Sequence, residues 1–158
     1  MLTPLLLLAV VSAAPAVSRP AEVDRMWAVL PLAETARAVR PCSRSRPHDL
    51  LGSWTPTDGD ITPAETAVED RISAAVAALR ADLRPKAPLT YYRQYVGTFL
   101  AGKRVLYVTG LSKAMVDRRP RILRWRSRAF TGCDFGPQVF GAVFDTTSRR
   151  FISLDFDS

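Results

Sequence analysis

Tyr91-Tyr92-Arg93-Gln94-Tyr95-Val96-Gly97-Thr98-Phe99-Leu100-Ala101-Gly102-Lys103-Arg104-Val105-Leu106-Tyr107-Val108-Thr109-Gly110 is the stretch that decides the fold. Thr90 to Leu100 is loaded with Tyr, Val, Thr and Phe, and the same residue types return from Lys103 to Gly110. Ala101-Gly102 between them is a turn, in which glycine can take a positive φ. Two such runs about a short turn predict a β-hairpin. Downstream, a third strand is expected near 127–135 and a fourth near 138–145, joined around Gly136-Pro137. Asp145 to Arg149 reads as a turn and Arg150 to Phe156 as a fifth strand. Upstream, Thr62-Pro63-Ala64-Glu65 has the form of a capping box with Pro at the first helical position. Val68, Ile72, Ala75, Val76, Leu79 and Leu83 follow on one helical stripe, and Pro85 and Pro88 end it. The spacing predicts an amphipathic helix over 63–84. The fold class expected is α+β, with one amphipathic helix packed on an antiparallel sheet of about four to five strands.

The predicted strands are apolar on both faces. In the fourth, Phe140, Ala142 and Phe144 alternate with Val139, Gly141 and Val143. One helix covers one face, so the second needs another cover. The segment 25–58 is the expected one, through Trp27, Leu30, Leu32 and Trp54. The competing expectation is a partner or an apolar ligand on that face. Residues 25–40 are read as a short helix carrying Met26, Trp27, Val29 and Leu30, interrupted by Pro31. Residues 41–60 are read as a loop, so that 17–60 as a whole is a largely irregular cover for the sheet.

Leu5 to Val11 is apolar and is followed by two Ala-x-Ala-like sites, ending at Ala14 and Ala16. This is the pattern of a secretory signal peptide over 1–16, cut after Ala16 and leaving a single domain over 17–158. The run is shorter than the roughly 20 residues a spanning helix needs, and no later segment is long and apolar enough to be a span. The expected location is therefore the periplasm or the medium. Cys42 and Cys133, the only cysteines, most simply form one disulfide in an oxidising compartment, two separate buried thiols being the alternative. With His48 they offer three ligands at unrelated spacings, so no zinc site is expected. The formal charge of +7 is carried almost wholly by Arg, since Lys occurs only at 86, 103 and 113. In an exported protein such charge points to lipid headgroups and cell-wall polymers, and away from nucleic acid.

Candidate chemistry is sparse. His48-Asp49 lacks a Gly-x-Ser-x-Gly nucleophile, and Asp58-Gly59-Asp60 lacks the further ligands of a calcium loop. It reads as a turn. Asp134, Asp145, Asp155 and Asp157 lie at strand ends, where converging carboxylates would support a small hydrolase. Arg118, Arg119, Arg121, Arg124, Arg126 and Arg128 surround Trp125 within eleven positions. Guanidinium forks suit phosphate and carboxylate, and an indole suits a membrane interface. Tyr91, Arg93 and Tyr95 share one strand face, which offers an aromatic and cationic platform for sugars or peptides, or else a buried wall.

Three motifs together resemble a group of small exported bacterial proteins with no assigned activity. They are Gly52-Ser53-Trp54-Thr55-Pro56, the run Tyr91 to Gly97, and Cys133-Asp134 with the later Phe140-Gly141 and final hairpin. The resemblance covers roughly 41–158. That group favours Gly-Gly after Cys-Asp, where this chain has Phe135-Gly136. The resemblance implies export and a single domain and carries over no catalytic residue. The function expected is a non-enzymatic envelope binding or interaction module with no cofactor, working through a sheet face or edge on an envelope protein. The alternative is binding of an anionic lipid or cell-wall polymer through the Arg118–Arg128 loop.

Overall fold

A computed structural model of the chain describes residues 25–44, 49–118 and 124–157. Residues 1–24, with the expected signal segment 1–16, and His48 lie outside the described residues. The predicted hairpin is present as β3 (Tyr91–Leu100) and β4 (Lys103–Ser112), paired antiparallel along their whole length. Ala101 and Gly102 both have positive φ, 48° and 76°, the twist that tight hairpin turns require. The chain continues through a short helix, α3 (Lys113–Arg118). β5 (Val139–Asp145) then pairs antiparallel with β4, and β6 (Arg150–Phe156) pairs antiparallel with β5.

The N-terminal segment departs from expectation. Residues 25–40 begin with a strand, β1 (Trp27–Val29), which pairs parallel with β3 from Arg93 to Tyr95. A 3₁₀ turn over 32–34 and the four-residue α1 (Thr35–Ala38) follow. β2 (Leu50–Trp54) pairs antiparallel with the far half of β3. Thus β1 and β2 share one edge, and the order β1-β3-β4-β5-β6 makes a mixed sheet, with β2 also on β3. The strand expected over 127–135 is absent; that stretch is irregular, and β5 occupies the place beside β4. The pattern there misled because Phe130 and Phe135 are apolar for another reason, an edge-to-face contact with each other.

The main helix, α2 (Asp58–Ala78), starts earlier and ends earlier than the 63–84 expected. Thr57 is its cap. The Thr57 amide donates to Asp60 Oδ2 at 2.8 Å, and the Asp60 amide donates to Thr57 Oγ1 at 3.4 Å. The capping box is thus Thr57-x-x-Asp60, and Asp58-Gly59-Asp60 is the first helical turn. Asp60 is held below the ordinary carboxylate range: burial works the other way, but the Thr57 bonds and the nearby Arg104 outweigh it. Pro63 sits inside the helix, where the missing N–H leaves one rung of the ladder unmade. At the other end, Arg84 donates to the carbonyls of Leu79 and Ala77 at 2.8 and 2.7 Å, serving groups that a helix end leaves open. Leu83 lies beyond that stop and is half exposed.

α2 buries Ile61, Ala64, Val68 and Ile72 on the first face of the sheet, against Tyr91, Tyr95, Leu106, Val108, Phe140, Ala142, Phe144 and Leu154. Moving the helix start to Asp58 frees Glu65 from a capping role. Its carboxylate accepts from Arg93 Nε and Nη2, both at 2.7 Å, and from Tyr95 Oη at 2.5 Å. Glu69 adds a contact to Arg93 Nη1 at 3.2 Å. Tyr91, Arg93 and Tyr95 do share a face, and they are buried beneath α2 as a wall.

Removing one partner of such a pair strands the other charge in a poorly hydrated place. Glu65→Gln is expected to lower stability by about 3 kcal/mol in denaturant unfolding, and Glu65→Leu with Arg93→Met to recover most of it. A loss below 1 kcal/mol for the single variant would contradict the pairing. The buried phenols give a pH signature. Burial, with Glu69 for Tyr91 and Glu65 for Tyr95, pushes both above their ordinary value of 10.0. Burial also raises Tyr107, against the opposing pull of Arg44. The unfolded chain ionises near 10 and the folded chain does not, so stability is complete below that pH and is lost as pH rises above it. In an alkaline titration the phenolate absorbance of these three residues should appear together with loss of the fold, and phenolate formation in a still-folded chain would refute their burial.

Candidate functional site

The second sheet face is covered by the chain itself. Leu30, Ala38, Val39 and Leu50 from the N-terminal segment, with Ala129, close over Val96, Val105, Tyr107 and Val143. Ala28, Met115, Val116 and Trp125 close over Leu111 and Val139. Of the four residues expected as cover, only Leu30 serves there. Trp27 and Trp54 pack on the α2 side, and Leu32 is half exposed. Both sheet edges carry irregularities that discourage strand addition. On β2, Gly52 (φ 67°) and Ser53 together oppose Thr98. On β6, Ile152 is an extra residue between Phe151 and Ser153. No helix among the described residues is long and apolar enough to cross a membrane.

Gln94 holds the cover down. It alternates with Arg93, so its side chain enters the second face, where it is almost wholly buried. Its amide Nε2 donates to the carbonyls of Trp125 (2.5 Å) and Arg128 (2.6 Å), and its Oε1 accepts from the Phe130 amide at 3.0 Å. Tyr92, two residues before it, stacks on Trp125 with ring centroids 4.6 Å apart. Trp125 is therefore a buried anchor, and its indole is not available to enter a membrane. Arg126 lies over the Trp125 ring and donates to the Arg25 carbonyl at 2.7 Å. Sequence reasoning missed Gln94. The available signal was an amide in a strand position flanked by Tyr92 and Val96 on an otherwise apolar face.

A second fastening lies beside the first. Cys42 and Cys133 are joined by a disulfide, and the Asp134 amide donates to Ser43 Oγ at 2.9 Å. This strap carries Arg44 inward. Its guanidinium donates to Asp157 Oδ1 at 2.7 Å, with both side chains almost completely buried. Tyr107 Oη accepts from Arg44 Nε at 3.3 Å and Thr109 Oγ1 from Nη2 at 3.5 Å. Gly141 makes the room: a Cβ there would stand 2.4 Å from Arg44 Nε and 2.6 Å from Tyr107 Oη. The cluster is closed to solvent and joins strap to sheet.

The same fastenings leave one open, charged cleft. Arg37 of α1 lines it together with Arg124 and Arg128, and Trp125, Ala129, Phe130, Thr131 and Gly132 complete a cleft of about 250 Å³. Glu34 ties its walls together. One carboxylate oxygen accepts the Ala129 amide at 2.9 Å and lies 3.9 Å from Arg37. Arg124 and Arg128 are exposed and make no ion pair to a described residue. Four of the six arginines of the expected basic loop are among the described residues, and they do not act as one group. Arg124 and Arg128 meet at the cleft, Arg126 is structural, Arg118 is exposed at the end of α3, and Arg119 and Arg121 lie outside the described residues. Arg37, remote in sequence, is the member that sequence reasoning missed.

The aspartates have separate duties. Asp145 accepts the amides of Thr147 and Ser148 in the final hairpin, and those bonds hold it below the ordinary carboxylate range. Asp157 is committed to Arg44, and Asp134 occupies a left-handed turn with φ 60°. No three His, Cys, Asp or Glu side chains among the described residues are grouped to hold a metal ion. Comparison with protein families, with curated proteins and with solved structures found no match to this chain.

The strap closes a loop of 91 residues, for which the chain-entropy model gives about 4–5 kcal/mol. Cys42→Ser with Cys133→Ser should lower the denaturation midpoint accordingly. Arg44→Met alone should cost about 3 kcal/mol by leaving Asp157 buried without its counter-ion. Arg44→Met combined with Asp157→Leu should be the milder change. Equal losses for the single and double variants would show that the ion pair is not what the site depends on.

Proposed function

We propose that this chain is an exported, non-enzymatic binding protein for anionic groups of the cell envelope, and that it binds them in the cleft of Arg37, Arg124 and Arg128. The observation that carries this reading is the convergence of three guanidinium-bearing residues, two of them without ion partners among the described residues, on one open cleft. Arginine presents planar pairs of donors that match the oxygens of phosphate and carboxylate, and it stays charged at any physiological pH. The apolar alternatives are less well provided for. The second sheet face is occupied by Leu30, Val39 and Leu50, and the edges of β2 and β6 are irregular. Export is supported by the signal-like pattern at the N-terminus, and the Cys42–Cys133 bond fits an oxidising compartment.

The walls of the cleft are positioned before any ligand arrives. Gln94, Glu34 and the disulfide fix the 124–134 segment to the sheet and to the N-terminal segment. A prepared site spends little of its binding energy on ordering itself. The net charge of +7 also raises the encounter rate with polyanions at low salt.

The mature, oxidised protein is expected to be retained on heparin and on vesicles containing phosphatidylglycerol, and to be released as salt rises. Arg124→Ala with Arg128→Ala should weaken retention about tenfold or more. Arg80→Ala with Arg84→Ala, a control elsewhere on the surface, removes the same charge and should change it far less. Equal weakening by the two pairs would show that overall charge, not the cleft, is responsible.

A further inference from the structure

We infer that the cleft is built for a phosphomonoester, a group carrying close to two negative charges, rather than for a carboxylate or a phosphodiester. This rests on the proposed anion-binding role of the cleft and specifies its ligand. Charge balance favours it. Arg37, Arg124 and Arg128 line the same cleft, and Glu34 is the carboxylate paired with Arg37. Among the described residues, three guanidiniums against one carboxylate leave a charge of +2. A carboxylate or a phosphodiester brings one negative charge and leaves the cleft positive. A phosphomonoester near pH 7 brings about 1.5 to 2 and three acceptor oxygens, so it neutralises the cleft.

Geometry agrees with charge. Arg124 and Arg128 stand on the segment that Gln94 clamps, and Arg37 stands on α1, a separate element that lines the same cleft. Donors therefore reach the cleft from two separate walls, an arrangement that suits a tetrahedral group with oxygens on several sides. A flat carboxylate is met by a single guanidinium fork. Thr131 and Phe130 also line the cleft. They provide a hydroxyl and an aromatic edge beside the anion, where the carrier of the phosphate would lie. The same head chemistry occurs on a phosphorylated sugar and on a lipid such as phosphatidic acid.

Titration calorimetry on the full mature, disulfide-bonded protein tests this with glucose 1-phosphate as monoester, glycerophosphoglycerol as diester and glucuronate as carboxylate. The monoester is expected to bind at least tenfold more tightly than either of the others at pH 7.5. Because its second ionisation falls near pH 6, its affinity should drop several-fold between pH 7.5 and 5.5. The arginines lining the cleft stay charged over that interval. Glu34 is the other ionisable group beside it among the described residues, and glucuronate measured over the same interval reports any change in the protein itself. Arg124→Ala with Arg128→Ala, and separately Arg37→Ala, should each abolish the preference. Vesicles of phosphatidylcholine with phosphatidic acid, set beside the soluble sugar phosphate, show whether the carrier is lipid or free. Equal binding of the three soluble anions, or a monoester affinity that is flat with pH, would overturn the phosphomonoester while leaving the anion-binding role. Monoester binding unaltered in both arginine variants would overturn the site. Absence of binding to every anion, heparin included, would overturn both readings.

Discussion

Two adjacent polar side chains in the middle of β3 impose the layout of the molecule. Arg93 and Gln94 point to opposite faces of a strand that is buried on both, and a buried donor without a partner costs more than an ordinary bond returns. Each must therefore recruit its own cover. Arg93 brings Glu65 and with it α2. Gln94 brings the carbonyls of Trp125 and Arg128 and the amide of Phe130, and with them a segment that is irregular over 127–135. A sheet with apolar faces accepts covers in many registers, whereas one guanidinium and one amide accept few. The two polar residues thereby convert general burial into a defined arrangement of three layers.

The two covers are secured by different physics. α2 presents a regular stripe of apolar side chains, so burial supplies most of its attachment and the Arg93–Glu65 pair supplies the register. The opposite cover is thin and offers few large side chains. It relies on the Gln94 clamp, on the Tyr92–Trp125 stack, and on the strap that Cys42–Cys133 closes over Arg44 and Asp157. A buried ion pair is weak as a source of stability but demanding in its geometry. Gly141 shows how demanding, because only a residue without a side chain leaves room for Arg44 beside Tyr107.

Much of this was legible in the chain and some was not. Period-two patterns located β3, β4, β5 and β6 to within a residue or two, because each is long enough for alternation to show. β1 and β2 escaped because three and five residues carry too little pattern, and because β2 is interrupted by Gly52. The helix start was misplaced because Pro63 and Glu65 make a good capping box on paper. Thr57 and Asp60 make the real one, and Glu65 is needed at Arg93. The Gly52-Ser53-Trp54-Thr55-Pro56 and Tyr91–Gly97 runs proved to be two halves of one seam. Trp54 pairs with Gly97, where a Cβ would lie 2.3 Å from the Trp54 carbonyl oxygen, and its indole donates to the Thr98 carbonyl. Of the candidate site, the local cluster of arginines was visible, but Arg37 was not. Its place beside Arg124 and Arg128 arises from a tertiary contact across 87 residues or more, which no local spacing encodes.

The sorting of those arginines follows from the burial of Trp125. Once the indole is stacked on Tyr92 and capped by Arg126, the backbone on either side is fixed by Gln94. Arg124 and Arg128 flank that fixed point one helical turn apart and remain exposed. The same Glu34 that binds the Ala129 amide stands beside Arg37, so the contact that anchors the cover also places the third guanidinium. Desolvating a guanidinium without a partner is costly, so Arg124 and Arg128 stay exposed while the aromatic ring takes the interior. The charge of the cleft is thus a consequence of how the second face is closed. A change that loosened Gln94 or Glu34 would separate the three arginines without touching any of them.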